Sequence, residues 1–302
     1  VVLYLVTSSS GTDYFPEYGI TVESGRQNLI RLLPQTGQAA VVEWNVTADY
    51  ARSAIRPYTV DGRLFIVRHT GLEYTDDHEF SERDPMTNEP ILRFQVSDPI
   101  QLGCLAIVGD RYYYRAYSSF DPMVGDKGGE LKRLRFRDGT TAEGEVLLAP
   151  DDPQNCKGHL DSSDGVLYDA YGEKGRIEIY RRDLATGRIA EVLGAYELND
   201  PDKYQDGYRF AFDDGVAYWA LRRLADNRIT IWKYDLRGEA EPIFGEIVPN
   251  VDEVTYLDVD GGYLAIGDDD GYLLLLDLAN WKRYTYEVGF EFYDMQILVT
   301  GK

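Results

Sequence analysis

The chain alternates short apolar runs with polar turns, and one stretch shows the pattern most clearly. It reads Asp164-Gly165, the run Val166-Leu167-Tyr168, a polar break from Tyr171 to Gly175, a second run Ile177-Glu178-Ile179-Tyr180, and the turn Asp183-Leu184-Ala185-Thr186-Gly187. Short apolar runs bounded by Asp, Gly and Pro predict strands joined by tight turns. Related stretches occur near Asp61, Asp110, Asp214 and Gly261. No segment holds a helical period for more than two turns, so the expected class is all-β.

The later turn of each stretch falls near residues 34, 84, 138, 183, 235 and 277, at intervals of 42 to 54 residues. A repeat of that length, with four short strands per unit, is the pattern of propeller blades. The expectation is one domain over 1–302, a six-bladed β-propeller of four-stranded antiparallel blades. The blades fall at about 1–45 plus 292–302, 54–97, 101–149, 155–195, 207–248 and 253–290. The first blade is one strand short, and one strand, Asp294–Val299, is left over. Pairing it beside Val2–Val6 closes the ring and removes open edges. A β-sandwich competes, but it gives no reason for one turn type to recur at this spacing.

The stretch Tyr263-Leu264-Ala265-Ile266-Gly267-Asp268-Asp269-Asp270-Gly271-Tyr272-Leu273-Leu274-Leu275-Leu276-Asp277 resembles a repeat of the pyrroloquinoline-quinone or YVTN-like propellers. Leu167 to Gly187 is similar. The resemblance implies a propeller fold and, for most of those families, a periplasmic or extracellular setting. The tryptophan that usually ends the quinone-type repeat is absent. Tyr284 and Tyr286 stand in its region, and no quinone ligand set maps onto the chain.

Charge narrows the partners. The net charge is −21, from 31 basic and 52 acidic residues, a surface that repels nucleic acid and acidic lipid. It favours solubility, and it attracts cations or basic partners. No apolar run approaches 18 residues, so no membrane span is expected. The sequence starts at Val1 with no visible signal peptide; a removed leader and a trimmed start both fit. Asn45-Val46-Thr47 matches the glycosylation sequon.

Two cysteines and three histidines (His69, His78, His159) show no close ligand spacing, which argues against zinc. Cys104 is expected in the inner strand of the third blade, and Cys156 at or just before that of the fourth. Neighbouring inner strands can bring two α-carbons within disulfide reach. Such a bridge would close a loop of about 50 residues, worth roughly 4 kcal/mol, and would suit an oxidising compartment. Two unrelated buried thiols are the alternative.

In a four-stranded blade the tight turns share one face and the long loops the other. Loops carry function on a fixed scaffold, so the long-loop face is the expected working surface. It offers Tyr14, Tyr18, Tyr74, Asp76, Asp77, Phe120, Asp121, Tyr204 and Asp206. Aromatics with carboxylates suit a protein, peptide or carbohydrate ligand. No cofactor is expected apart from calcium at Asp268 and Asp270, with Asp258-Val259-Asp260-Gly261 nearby; neither stretch follows the full calcium-loop pattern. No nucleophile, P-loop or zinc-protease motif occurs. His78 beside Asp76, Asp77 and Glu79 is the best acid–base cluster. The leading expectation is therefore a non-enzymatic, exported binding protein. One alternative is a hydrolase or lyase working at the channel mouth, with Arg56, Tyr58, His159, Arg209 and Tyr256 converging there. A structural subunit of a surface assembly is the other.

Overall fold

The computed structural model describes residues 1–8, 13–22, 27–44, 55–69, 78–98, 100–116, 129–155, 158–173, 176–197, 209–225, 228–236, 243–248, 254, 256–268, 271–288 and 294–300. Among them are strands and no helix. The chain opens with β1 (Val2–Ser8), the small hairpin β2 (Asp13–Phe15) and β3 (Ile20–Val22), then β4 (Gln27–Leu33) and β5 (Gln38–Trp44). There follow β6 (Ile55–Val60), β7 (Arg63–His69), β8 (His78–Arg83) and β9 (Pro90–Val96). Next come β10 (Ile100–Val108), β11 (Arg111–Ala116), β12 (Glu130–Arg135), β13 (Thr140–Ala142) and β14 (Glu145–Leu148). The second half holds β15 (His159–Ser163), β16 (Val166–Glu173), β17 (Arg176–Arg182) and β18 (Ile189–Glu197), then β19 (Arg209–Asp213), β20 (Val216–Arg223), β21 (Arg228–Asp235) and β22 (Ile243–Val248). The last strands are β23 (Tyr256–Asp260), β24 (Tyr263–Gly267), β25 (Tyr272–Asp277), β26 (Lys282–Glu287) and β27 (Asp294–Leu298).

Turn chemistry explains the meanders. Asp61-Gly62, Asp164-Gly165 and Asp214-Gly215 all have positive φ at both residues, between 47° and 74°. That is the two-residue hairpin geometry that matches strand twist, and Asp and Gly are the residues that tolerate it. The later turns use an aspartate differently. Asp84 Oδ1 accepts the amides of Met86 and Thr87, and Asp183 Oδ1 accepts those of Ala185 and Thr186. The Thr186 hydroxyl and then these amides hold Asp183 below its usual range, and the Thr87 and Met86 amides do the same for Asp84.

The strands form a propeller-like ring. Four sheets of four or five strands act as blades: β27-β1-β4-β5, β6 to β9 with β13 added, β19 to β22, and β23 to β26. An eight-stranded curled sheet, β14-β12-β11-β10-β15-β16-β17-β18, completes it. Six separate blades were expected. Instead β10 and β15 meet in parallel at Cys104 and Leu160, which joins the third and fourth into one sheet. β13 is a second departure: it leaves its neighbours and pairs in parallel with β9. β27 runs antiparallel to β1, from Val2 opposite Leu298 to Val6 opposite Asp294.

Apolar residues gather between successive groups of strands rather than in one centre. Val2, Tyr4, Val6 and Leu29 pack on Ile55, Leu64 and Ile66. Phe65, Phe80 and Phe94 pack on Tyr112, Leu134 and Phe136. There Phe94 stacks on Phe80 at 4.7 Å and on Phe136 at 4.3 Å, contacts worth about 0.5–1.5 kcal/mol each beyond their area. Polar clamps recur at two of these junctions. Tyr4 and Arg31, cross-strand partners, donate to the carbonyls of Pro85 and Met86 in the next turn. Tyr113 and Arg133, also partners, do the same to Leu184 and Ala185.

The disulfide expectation is corrected. Cys104 is a buried free thiol whose Sγ donates to the Gly158 carbonyl at 2.8 Å. The parallel bridge sets Cys104 against Leu160. Cys156 itself falls outside the described residues. The expectation of an oxidising compartment thereby loses its structural ground.

Candidate functional site: an acid-walled lumen mouth

The inner strands meet in turn around a lumen: β6 with β27, β27 with β23, β23 with β19, and β19 with β15. Alternation along each strand turns every second side chain inward. One end of the lumen opens as a cavity of about 560 Å³. Its wall includes Asp61, Asp161, Asp164, Asp213, Asp258 and Asp260, with Thr59, Ser162, Ser163 and Phe212, and among the described residues it carries no Lys or Arg. Pro85 and Met86 of the turn after β8 form part of its rim.

Side chains at this end tie one sheet to the next. Asp61 Oδ1 accepts the Asp164 amide at 3.0 Å, and Ser163 Oγ accepts the Asp214 amide at 3.2 Å. Asp213 accepts the Gly262 amide at 3.2 Å, and Asp260 accepts the Val299 amide. Asp258 accepts the Ile297 amide at 2.7 Å. The belt returns to β6 through Gln296 Oε1, which accepts the Thr59 amide at 3.1 Å, and through Thr59 Oγ1, which donates to the Ile297 carbonyl at 2.9 Å. All but the last of these bonds satisfy a backbone amide, in a turn or along an inner strand.

Deeper in, Tyr58 bonds Ser162 at 3.3 Å, and Ser162 donates to the Ile107 carbonyl at 2.7 Å. Burial lifts Tyr58 well above the usual phenol range, and the charge of Asp161 adds to it. Burial also pushes Asp161 up to about 7, against the lowering effect of the Ser162 and Phe212 amides. Asp258 is raised well above the carboxylate range, first by burial and then by Asp161. Both carboxyls are half-buried in the lumen wall, still reached by water yet packed about by protein.

At the other end the charges are mixed. Arg56 faces Asp294 at 3.8 Å. Burial pushes Asp294 up to about 6, with Arg56 opposing. His159 is pushed down to about 4 by burial and by the nearby Arg209. Tyr256 lies half-buried on β23. Of the five channel candidates, the structure thus brings His159 near Arg209 and sets Tyr58 beside Asp161.

The long-loop candidates fare differently. Tyr74, Asp76, Asp77, Phe120, Asp121, Tyr204 and Asp206 lie outside the described residues. Tyr14 stands 63% exposed on the β2–β3 hairpin, whereas Tyr18 packs against the cluster around Leu3 and Leu275. Burial and the charge of Glu17 raise Tyr18 above the usual phenol range. His78 is not a loop residue; it is buried at the start of β8.

Asp268 is buried and caps its own hairpin, accepting the Tyr272 amide at 2.7 Å; Asp270 lies outside the described residues. Among the described residues no three of His, Cys, Asp and Glu come together as a metal ion would need. No helix there is long and apolar enough to cross a membrane.

The aspartates of the mouth were not grouped from the sequence. A signal was present: Asp161, Asp258 and Asp260 alternate with apolar residues on strands assigned to the inner ring. Alternation alone does not say whether a polar side faces bulk water or a lumen.

No family model matches the chain, and no curated protein matches it. Among solved structures it is similar to one from a study of two prolyl endopeptidases and the role of inter-domain dynamics in their catalysis and specificity. The identity is 16% and the TM-score 0.41, over 92% of this chain and 40% of that one. The chain thus spans well under half the length of that protein.

Proposed function

We propose that the protein is a binding protein that takes a lysine or arginine side chain of a protein or peptide into the lumen mouth. The observation that carries this reading is the cavity wall, six aspartates with no basic residue beside them among the described residues. The net charge of −21 would steer cationic partners toward the molecule. Asp61 and Asp164 are exposed at the rim, where their free oxygens can meet a ligand while Asp61 keeps its amide bond.

We also read the ring as six repeat units, with the eight-stranded sheet counted as two. Support comes from that sheet's single bridged pair at its middle and from six apolar clusters among the described residues, one at each junction of four-stranded groups.

The test is titration of a fluorescent Arg-Gly repeat peptide against a matched Gln-Gly peptide, at low and high salt. The basic peptide is expected to bind and the neutral one not. The double variant Asp61→Asn, Asp164→Asn should weaken binding roughly tenfold, because rim charges steer and hold the cation. Equal binding of the two peptides, or an unchanged affinity in the double variant, overturns the reading.

A further inference from the structure

The joint where the last strand meets its neighbour is fastened by side chains, as are the joints of β6 with β15, β15 with β19, and β19 with β23, and here two carboxyls from one strand do it. β23 and β27 belong to different sheets, and no backbone ladder pairs them. Side chains hold them instead. Asp258 accepts the Ile297 amide at 2.7 Å and Asp260 accepts the Val299 amide. The backbone at Gly261 lies so close to Val299 that an added Cβ would sit 2.7 Å from the valine Cβ. Two carboxyl groups are therefore the polar fastening of this seam, and both belong to the lumen wall.

We propose that the β23–β27 seam is a proton-controlled latch, held shut while the lumen carboxyls carry protons and loosened as they ionise. The inference does not depend on any ligand. A carboxyl oxygen accepts an amide in either protonation state, so the staple survives protonation. Ionisation, however, requires a hydration shell that the lumen restricts, and it sets like charges against each other.

The groups that face Asp258 decide the sign. From β6 come Tyr58, Thr59 and Asp61, and from β15 comes Asp161. From β19 comes Asp213, and from β27 come Gln296 and Asp294. Among the described residues, Arg56 faces Asp294, Arg209 lies beside His159 at the far end, and the Val1 ammonium acts on Asp260. Asp258 and Asp161 therefore ionise without a compensating cation, in keeping with their upward displacement. A carboxyl raised in the folded state stabilises it fully below the unfolded value of about 4. It loses that contribution as pH rises through the folded value. For Asp161 the loss is complete a little above 7, and Asp258, raised well above the carboxylate range, loses its contribution in the same direction.

The experiment is hydrogen exchange at the Ile297 and Val299 amides between about pH 6.5 and 8.5, corrected for intrinsic rates; the lower bound keeps His159 out of the window. Protection is expected to fall with rising pH, by up to about tenfold per pH unit for each carboxyl that ionises. Amides paired between β4 and β5 should stay level. Asp258→Asn keeps an acceptor for Ile297 but cannot ionise, so its profile should flatten. If that variant fails to fold, Asp161→Asn serves, flattening the part of the profile below about pH 7. A level profile in the parent protein, an unchanged slope in the variant, or the same slope at the β4–β5 amides overturns the latch.

Discussion

The two ends of the lumen are built from the same strands and do opposite things. At the mouth polar groups tie neighbouring strands together: Asp61, Ser163, Asp213, Asp258 and Asp260 each hold an amide across a sheet boundary. At the far end the charges are mixed: Arg56 faces Asp294 at 3.8 Å, and Arg209 helps burial keep His159 uncharged. The difference teaches where the ring's polar stability resides. Short hydrogen bonds to amides between sheets are hard to replace, because a lost acceptor leaves a desolvated amide. A half-exposed ion pair at 3.8 Å is easily replaced by water.

The contrast can be broken most severely at Gly261. Gly261→Val forces a β-branched residue into φ +59° and drives its Cβ into Val299, so urea denaturation should show a loss of about 3 kcal/mol or more. Next is Gln296→Ala, which orphans the Thr59 amide and should cost about 1–3 kcal/mol by the same measurement. The far end gives a weaker and pH-dependent answer. His159 has a lowered folded value, so its contribution is present above about 6.5 and is lost as pH falls through about 4. His159→Gln should therefore lessen the drop in denaturation midpoint on acidification from neutral pH to about 4.5, and leave the neutral midpoint nearly unchanged. The smallest change is expected for Arg56→Met, under about 1 kcal/mol at neutral pH. A loss there as large as that at Gln296 would erase the distinction between the two ends.

Much of the architecture was legible because it rests on local chemistry. Asp-Gly at 61, 164 and 214 names a turn whose φ values almost no other pair accepts. The leftover strand at 294–298 follows from counting strands per repeat. What escaped depends on contacts distant in sequence. Thr140-Thr141-Ala142 is too short to show a period, and only the edge of β9 makes it a strand. The bridge of Cys104 to Leu160 is set by how two sheets lean together, and it overturned the separate third and fourth blades. The mouth was half legible. Its aspartates stand in plain alternation, but their convergence from four strands needs the ring to be closed first.

Pairing of β27 with β1 has a kinetic corollary. Residues 2 and 298 are register partners, so the first sheet gains its innermost strand only through a contact spanning nearly the whole chain. Contacts of that separation are the slowest to form, since the loop entropy must be overcome before any bond rewards it. Until then β1 presents a bare edge of Val2, Tyr4 and Val6 beside it, the kind of surface that recruits strands from other molecules. The step that finishes the ring is thus also its most vulnerable moment. Refolding yield should fall with protein concentration faster than native stability would suggest.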